Sequence, residues 1–254
     1  MSETLDKCRA ETSAHMIMQA QADRILTAIE PLTVVIGKDS GIMFRFGEDR
    51  IECSAVDESH TMMAFCEADM ESGVDGGVWD YSAEPSDVVV NIDHLVSALK
   101  AFGSSVVHIA SLAKTVAIWN DSRRRTISVY SEALPIPHEI GLNVVAEVAI
   151  PVERLKELTG LDKIAESVHT VLSEGILTIK CSSEVESSEI FVKTDYSMSL
   201  HSAYSSELLG AIVRRIKADE VVTIGLVDDS PMVLRFNIGC ARYRMYLAPR
   251  IEEV

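Results

Sequence analysis

The chain has 254 residues, 47% of them hydrophobic, which is enough to bury one large core or two of ordinary size and too apolar for a disordered chain. Its 23 Lys and Arg face 39 Asp and Glu, and the net charge of −16 excludes indiscriminate coating of nucleic acid while leaving room for a local basic patch. No cationic start leads into an apolar run, no stretch approaches the roughly 20 apolar residues of a membrane span, and Cys8, Cys53, Cys66, Cys181 and Cys240 have neither Cys-x-x-Cys nor zinc spacing. The expectation is a soluble intracellular protein with reduced thiols.

Residues 1–13 are polar, charged and aperiodic, and are expected to form a loose tail. A first strand is expected from Ala14 to Gln19, followed by a short helix capped by Asp23, with Ile25, Leu26 and Ile29 on one side and Pro31 stopping it. From Thr33 to Glu67 the pattern turns to strands, at Gly41–Phe46, Arg50–Val56 and Thr61–Glu67, with Gly, Asp and Glu at the turns. A Gly- and acid-rich loop around a short strand near Trp79 and Tyr81 precedes Val88 to Asn91. Then Ile92, Leu95, Val96 and Leu99 recur at helical spacing up to Phe102, with Gly103 placed to end the helix. Strands at Val106–Leu112, Thr115–Trp119 and Arg123–Tyr130 complete this half.

Residues 131–143 contain Pro135 and Pro137 and no alternation, so they form a connector with an apolar middle. From Val144 the plan repeats. A strand to Ile150 leads to Pro151 as a first helical residue, and the helix is expected to run to Ala165. Strands at Val168–Leu172, Gly175–Cys181 and Glu189–Thr194 and a segment at Met198–His201 come next. A helix from Ser205 to Lys217 then precedes strands at Val221–Val227 and Pro231–Asn237 and a closing strand. Both halves read strand, helix, strands, helix, strands, which implies an α+β fold made of a duplicated domain of antiparallel sheet.

In the closing strand, period two puts Tyr243, Met245 and Leu247 on one face and Arg242, Arg244 and Tyr246 on the other, until Pro249, lacking an N–H, ends the pairing. The ending Tyr246-Leu247-Ala248-Pro249-Arg250-Ile251 before an acidic terminus closely resembles that of sliding clamps of the PCNA family. So do the Asp-x-Ser-His turn at Asp57 to His60, flanked by Val56, Thr61 and Met63, and the run from Val90 to Lys100. The resemblance spans about Ala14 to Val254. It implies the DNA-clamp fold, with domains at 14–130 and 144–254, helices inside and sheets outside, three chains closing a pseudo-sixfold ring.

A sliding clamp of this kind encircles double-stranded DNA without reading sequence. It tethers DNA polymerase, ligase and nucleases through PCNA-interacting peptides, is placed by a clamp loader, and needs no cofactor or metal. The resemblance puts a partner socket at Val56, His60, Thr61, Met63, Leu134, Ile136, Pro231, Tyr246, Leu247, Ala248, Pro249, Arg250 and Ile251. It also implies that the strand from Arg123 pairs with the edge near Ser187 to Thr194 of the next chain. That puts Arg123, Arg124, Arg125 and Ile127 against Glu186, Glu189, Ile190 and Val192, with opposite charges on the two sides.

A charge count that does not use the resemblance points the same way. The four expected helices hold eight basic residues, Arg24, Lys100, Arg154, Lys156, Lys163, Arg214, Arg215 and Lys217, against seven acids, whereas the whole chain holds 23 against 39. Acidity is kept off the helices, which suits helices facing phosphates. No phosphate-binding Gly-rich loop, Gly-x-Ser-x-Gly elbow or His-Glu-x-x-His is present, so the reading is not an enzyme. The alternatives left open are an α+β protein that binds a small molecule and a specialised clamp paralogue in a heteromeric ring.

Overall fold

The structure is a computed structural model describing residues 9–10, 12–37, 41–70, 78–130, 137–158, 160, 163–216 and 221–251. The chain divides into two units. The first contains β1 (Met16–Gln21), α1 (Ala22–Ile29), α2 (Leu32–Val35), β2 (Gly41–Phe46), β3 (Arg50–Val56), β4 (Met62–Asp69), β5 (Val78–Ala83), β6 (Ser86–Asn91), α3 (Ile92–Lys100), β7 (Val106–Ser111), β8 (Thr115–Trp119) and β9 (Arg124–Ser128). Its strands lie in the orders β5-β1-β7-β8-β9 and β4-β3-β2-β6, with antiparallel registers such as Met18 opposite Ile109 and Met43 opposite Ser54. Alternation along β1 and β7 turns Met16, Met18 and Ile109 into the core, which Ile42, Leu95 and Leu99 share.

The second unit contains β10 (Ala146–Pro151), α4 (Val152–Lys156), β11 (Ser167–Ser173), β12 (Ile176–Ser182), β13 (Ser187–Lys193), β14 (Leu200–Ser205), α5 (Ser206–Arg215), β15 (Val221–Leu226), β16 (Met232–Ile238) and β17 (Ala241–Leu247). Its strand orders are β10-β15-β16-β17 and β13-β12-β11-β14. Position for position these repeat β1-β7-β8-β9 and β4-β3-β2-β6, and β5 is an addition at the β1 edge. The division passes through β4 and β17: residues 58–63 group with the second unit and residues 238–242 with the first.

Four local expectations change. Thr33, Val34 and Val35 form α2 rather than extended chain, because Pro31 at φ −58° starts a turn in which Leu32 and Val35, three apart, are both buried. Asp23 sits in the first turn of α1; the cap position is Gln21, whose side chain makes no capping bond. Pro151 is the last residue of β10, and α4 stops at Lys156, with Gly160 at φ 95° just beyond. The described residues of the tail are anchored rather than loose. Arg9 donates to the Ser82 hydroxyl at 3.0 Å and pairs with Glu84 at 2.6 Å, and the Ala14 N–H reaches the Arg9 carbonyl at 3.1 Å.

Candidate nucleic-acid and peptide interfaces

In the first unit α1 packs on α3, and in the second α4 packs on α5. Asn91 caps α3 by accepting from the His94 N–H at 2.9 Å, and Ser205 caps α5 by accepting from the Leu208 N–H at 3.3 Å. Gly103, at φ 57°, follows the end of α3, as its position in the sequence predicts. The acids on these helices, Asp23, Asp93, Glu153 and Glu207, all fall in first turns. Lys100, Arg154, Lys156, Arg214 and Arg215 fall in last turns. This arrangement complements each helix dipole and at the same time gathers cations at the C-terminal ends of α3, α4 and α5. Arg24, Lys100, Arg154, Arg214 and Arg215 are exposed and Lys156 is half-buried.

Two basic residues lie off the helices or outside the described chain. Lys163 is in a loop beyond α4, its N–H on the Gly160 carbonyl at 3.0 Å, because α4 is shorter than its apolar spacing suggests. Lys217 lies outside the described residues. Arg154 is partly spent within its own unit: it pairs with Glu157 at 3.4 Å and reaches the Phe191 carbonyl at 3.5 Å.

At the C-terminus the Ala248 N–H donates to the Thr61 carbonyl at 2.8 Å, which lays residues 58–63 beside the tail. His60 is exposed in that turn at φ 56°, a left-handed conformation that costs a non-glycine residue about 1 kcal/mol. Thr61, Met63, Pro231, Ala248 and Pro249 are half-buried, and Ile251 is 96% exposed. Two expected socket residues are buried in this chain. Leu247 is 1% exposed because it continues the buried face of β17 through Tyr243 and Met245, and Tyr246 is 4% exposed. Val56 is half-buried at the end of β3 in the first unit, and Leu134 and Ile136 lie outside the described residues.

Three residues that sequence spacing does not single out hold this tail. Glu139 accepts from the Tyr246 hydroxyl at 2.8 Å and pairs with Arg244 at 3.0 Å. Burial first, and then the bond to Glu139, push the Tyr246 phenol up to about 12. Arg250 donates from its guanidinium to the Glu166 carboxylate and carbonyl, both at 3.0 Å, and from its N–H to the Ala203 carbonyl at 2.8 Å. The tail is thereby held straight as far as Arg250, with Ile251 projecting beyond it.

β9 and β13 each end a sheet, as do β5, β6, β10 and β14, and just past β9 Val129 bridges to Val90 of β6. Arg123 precedes β9 in a turn organised by the Asn120 side chain, which accepts from the Arg123 N–H at 3.0 Å. Its guanidinium donates to the Ala101 carbonyl at the end of α3, so it is engaged inside its own unit. Arg124 lies over the Trp119 ring at 5.9 Å, and Trp119 stacks on His108 at 5.4 Å. Arg125 is exposed. Ile127 and Ile190 face their own cores at 5% and 2% exposure, and Val192 is half-buried. Glu184 and Glu186 lie in the turn before β13, and Glu189 is exposed opposite Lys180.

Two repeated units of paired antiparallel sheets, each carrying short helices with basic ends, define a clamp-type architecture. The chain has the DNA-clamp fold of PCNA. It is similar to A. fulgidus PCNA, solved with the C-terminal region of FEN-1 bound (TM-score 0.82, 19% identity, covering 94% of this chain and 100% of that one). It is also similar to PCNA of Entamoeba histolytica (0.80, 13%, 94% and 100%) and of Thermococcus kodakaraensis (0.79, 15%, 92% and 100%). By sequence, no family model and no curated protein matches it. Among the described residues, no group of His, Cys, Asp and Glu could hold a metal ion, and no helix is long and apolar enough to cross a membrane.

Proposed function

We propose that the protein is a DNA sliding clamp, a ring that encircles duplex DNA inside the cell and tethers replication and repair enzymes to it. The observation that carries this reading is the repeated unit with cations gathered at the helix ends while the chain as a whole is strongly acidic. In such a ring these Lys and Arg would contact phosphates, which carry no base code, as a ring that slides requires. Retention is topological, and the tether raises the local concentration of an enzyme at DNA without any bond being made or broken by the clamp itself.

By resemblance to sliding clamps, three chains would close the ring, with β9 of one chain beside β13 of the next, continuing the sheet and covering two of its edges. A closed ring of this kind implies a clamp loader. Partner enzymes would dock through short peptides beside Pro249 and Ile251, consistent with the FEN-1 segment held by the A. fulgidus relative. Loading the protein onto nicked circular DNA, then linearising half of the sample, tests the mechanism. Protein should stay on circles through gel filtration and be lost from linear DNA, and equal retention on both would sink the topological reading.

A further inference from the structure

The first unit contains an apolar cavity of about 120 Å³, and among its described lining residues only Arg24 belongs to the clamp reading. It lies under α1 and is lined by Ile25 and Ala28 of that helix, Phe44, Ile51 and Cys66 of the strands, and Arg24 at the N-terminal turn. Small side chains set its size: where Ala28, Ala68, Cys53 and Cys66 line the wall, larger residues would have filled it. Its wall is almost wholly apolar and offers water few hydrogen-bond partners, so an apolar occupant gains dispersion that water cannot supply. The volume approaches that of an engineered cavity of roughly 150 Å³ that accepts benzene.

Arg24 is the one charged residue among the described residues lining this space, and it is exposed. Its neighbour Asp23 does not line it. We propose that the cavity binds a small hydrophobic monocarboxylate, its apolar body of about six carbons inside and its carboxylate on the Arg24 guanidinium. The apolar wall supplies most of the affinity and the arginine selects the anion.

The test titrates the full chain, carrying ¹³C-methyl methionine, with hexanoate and separately with hexan-1-ol. The methyls of Met16, Met18 and Met70, which line the cavity, should shift saturably with hexanoate, while buried Met232 in the second unit should not. Hexan-1-ol should bind about fivefold more weakly, the loss expected for an exposed charge pair. Arg24→Gln, an exposed change that leaves the fold intact, should bring hexanoate down to the affinity of the alcohol. Ala28→Leu should abolish binding of both. The proposal is overturned if neither compound shifts the three methyls, or if hexan-1-ol binds as tightly as hexanoate.

Discussion

Arg154 and Arg215 sit on helices that pack together, yet their charges are not equally available. Arg154 is held by Glu157 at 3.4 Å, whereas Arg215 is exposed in the last turn of α5. Neutralising a phosphate with Arg154 would mean giving up an ion pair already made, which reduces the benefit of the contact. Arg215→Ala and Lys100→Ala should each lower the slope of log K against log salt for DNA by about 0.9, and Arg154→Ala by clearly less. Fluorescence anisotropy over a salt series measures all three slopes. A loss for Arg154→Ala equal to the others would show that the Glu157 pair does not compete with DNA.

Among the elements, the helices differ in how their first turns are satisfied. Ser205 supplies an oxygen to the Leu208 N–H of α5, while Gln21 at the start of α1 supplies nothing, although both follow directly from a strand. In α5 the Leu208 N–H therefore depends on that hydroxyl, while the Ser206 N–H goes to the Glu166 carbonyl at 3.0 Å. Ser205→Ala should destabilise the protein by about 1 kcal/mol in urea unfolding, and Gln21→Ala should stay within about 0.5 kcal/mol of wild type. Equal losses would mean that the strand-to-helix junction, and not the cap, sets helix stability.

For the whole molecule, the proposed ring sets β9 of one chain beside β13 of the next, and the charges on the two strands test it. Arg124 and Arg125 are exposed on β9, while Glu186 precedes β13 and Glu189 is exposed on it. Arg124→Glu with Arg125→Glu should turn the proposed trimer into 27.8 kDa monomers at micromolar concentration by light scattering, and Glu186→Lys with Glu189→Lys in the same chain should restore part of the assembly. A trimer mass kept after the arginine reversals would mean that these charges do not hold the ring.

The sequence by itself determined most of the described strands, three of the described helices to within a few residues, the duplication and the special ending. These follow from signals local to a few residues: period-two alternation in β17, apolar spacing of three and four in α3, and Pro249 closing the last strand. The tertiary structure alone decided what each side chain was free to do. Alternation indicated that Leu247 turns to one face, but only packing showed that face to be sealed. The run of three arginines read as one patch until the fold sent Arg123 to the end of α3 and set Arg124 on Trp119. Glu139 meets Tyr246 across 107 residues and Glu166 meets Arg250 across 84, and Arg9 finds Ser82 across 73. Such partners carry no mark in their own neighbourhood, because hydrogen-bond geometry depends on where the strands bring the chain back and not on what stands beside each residue in sequence.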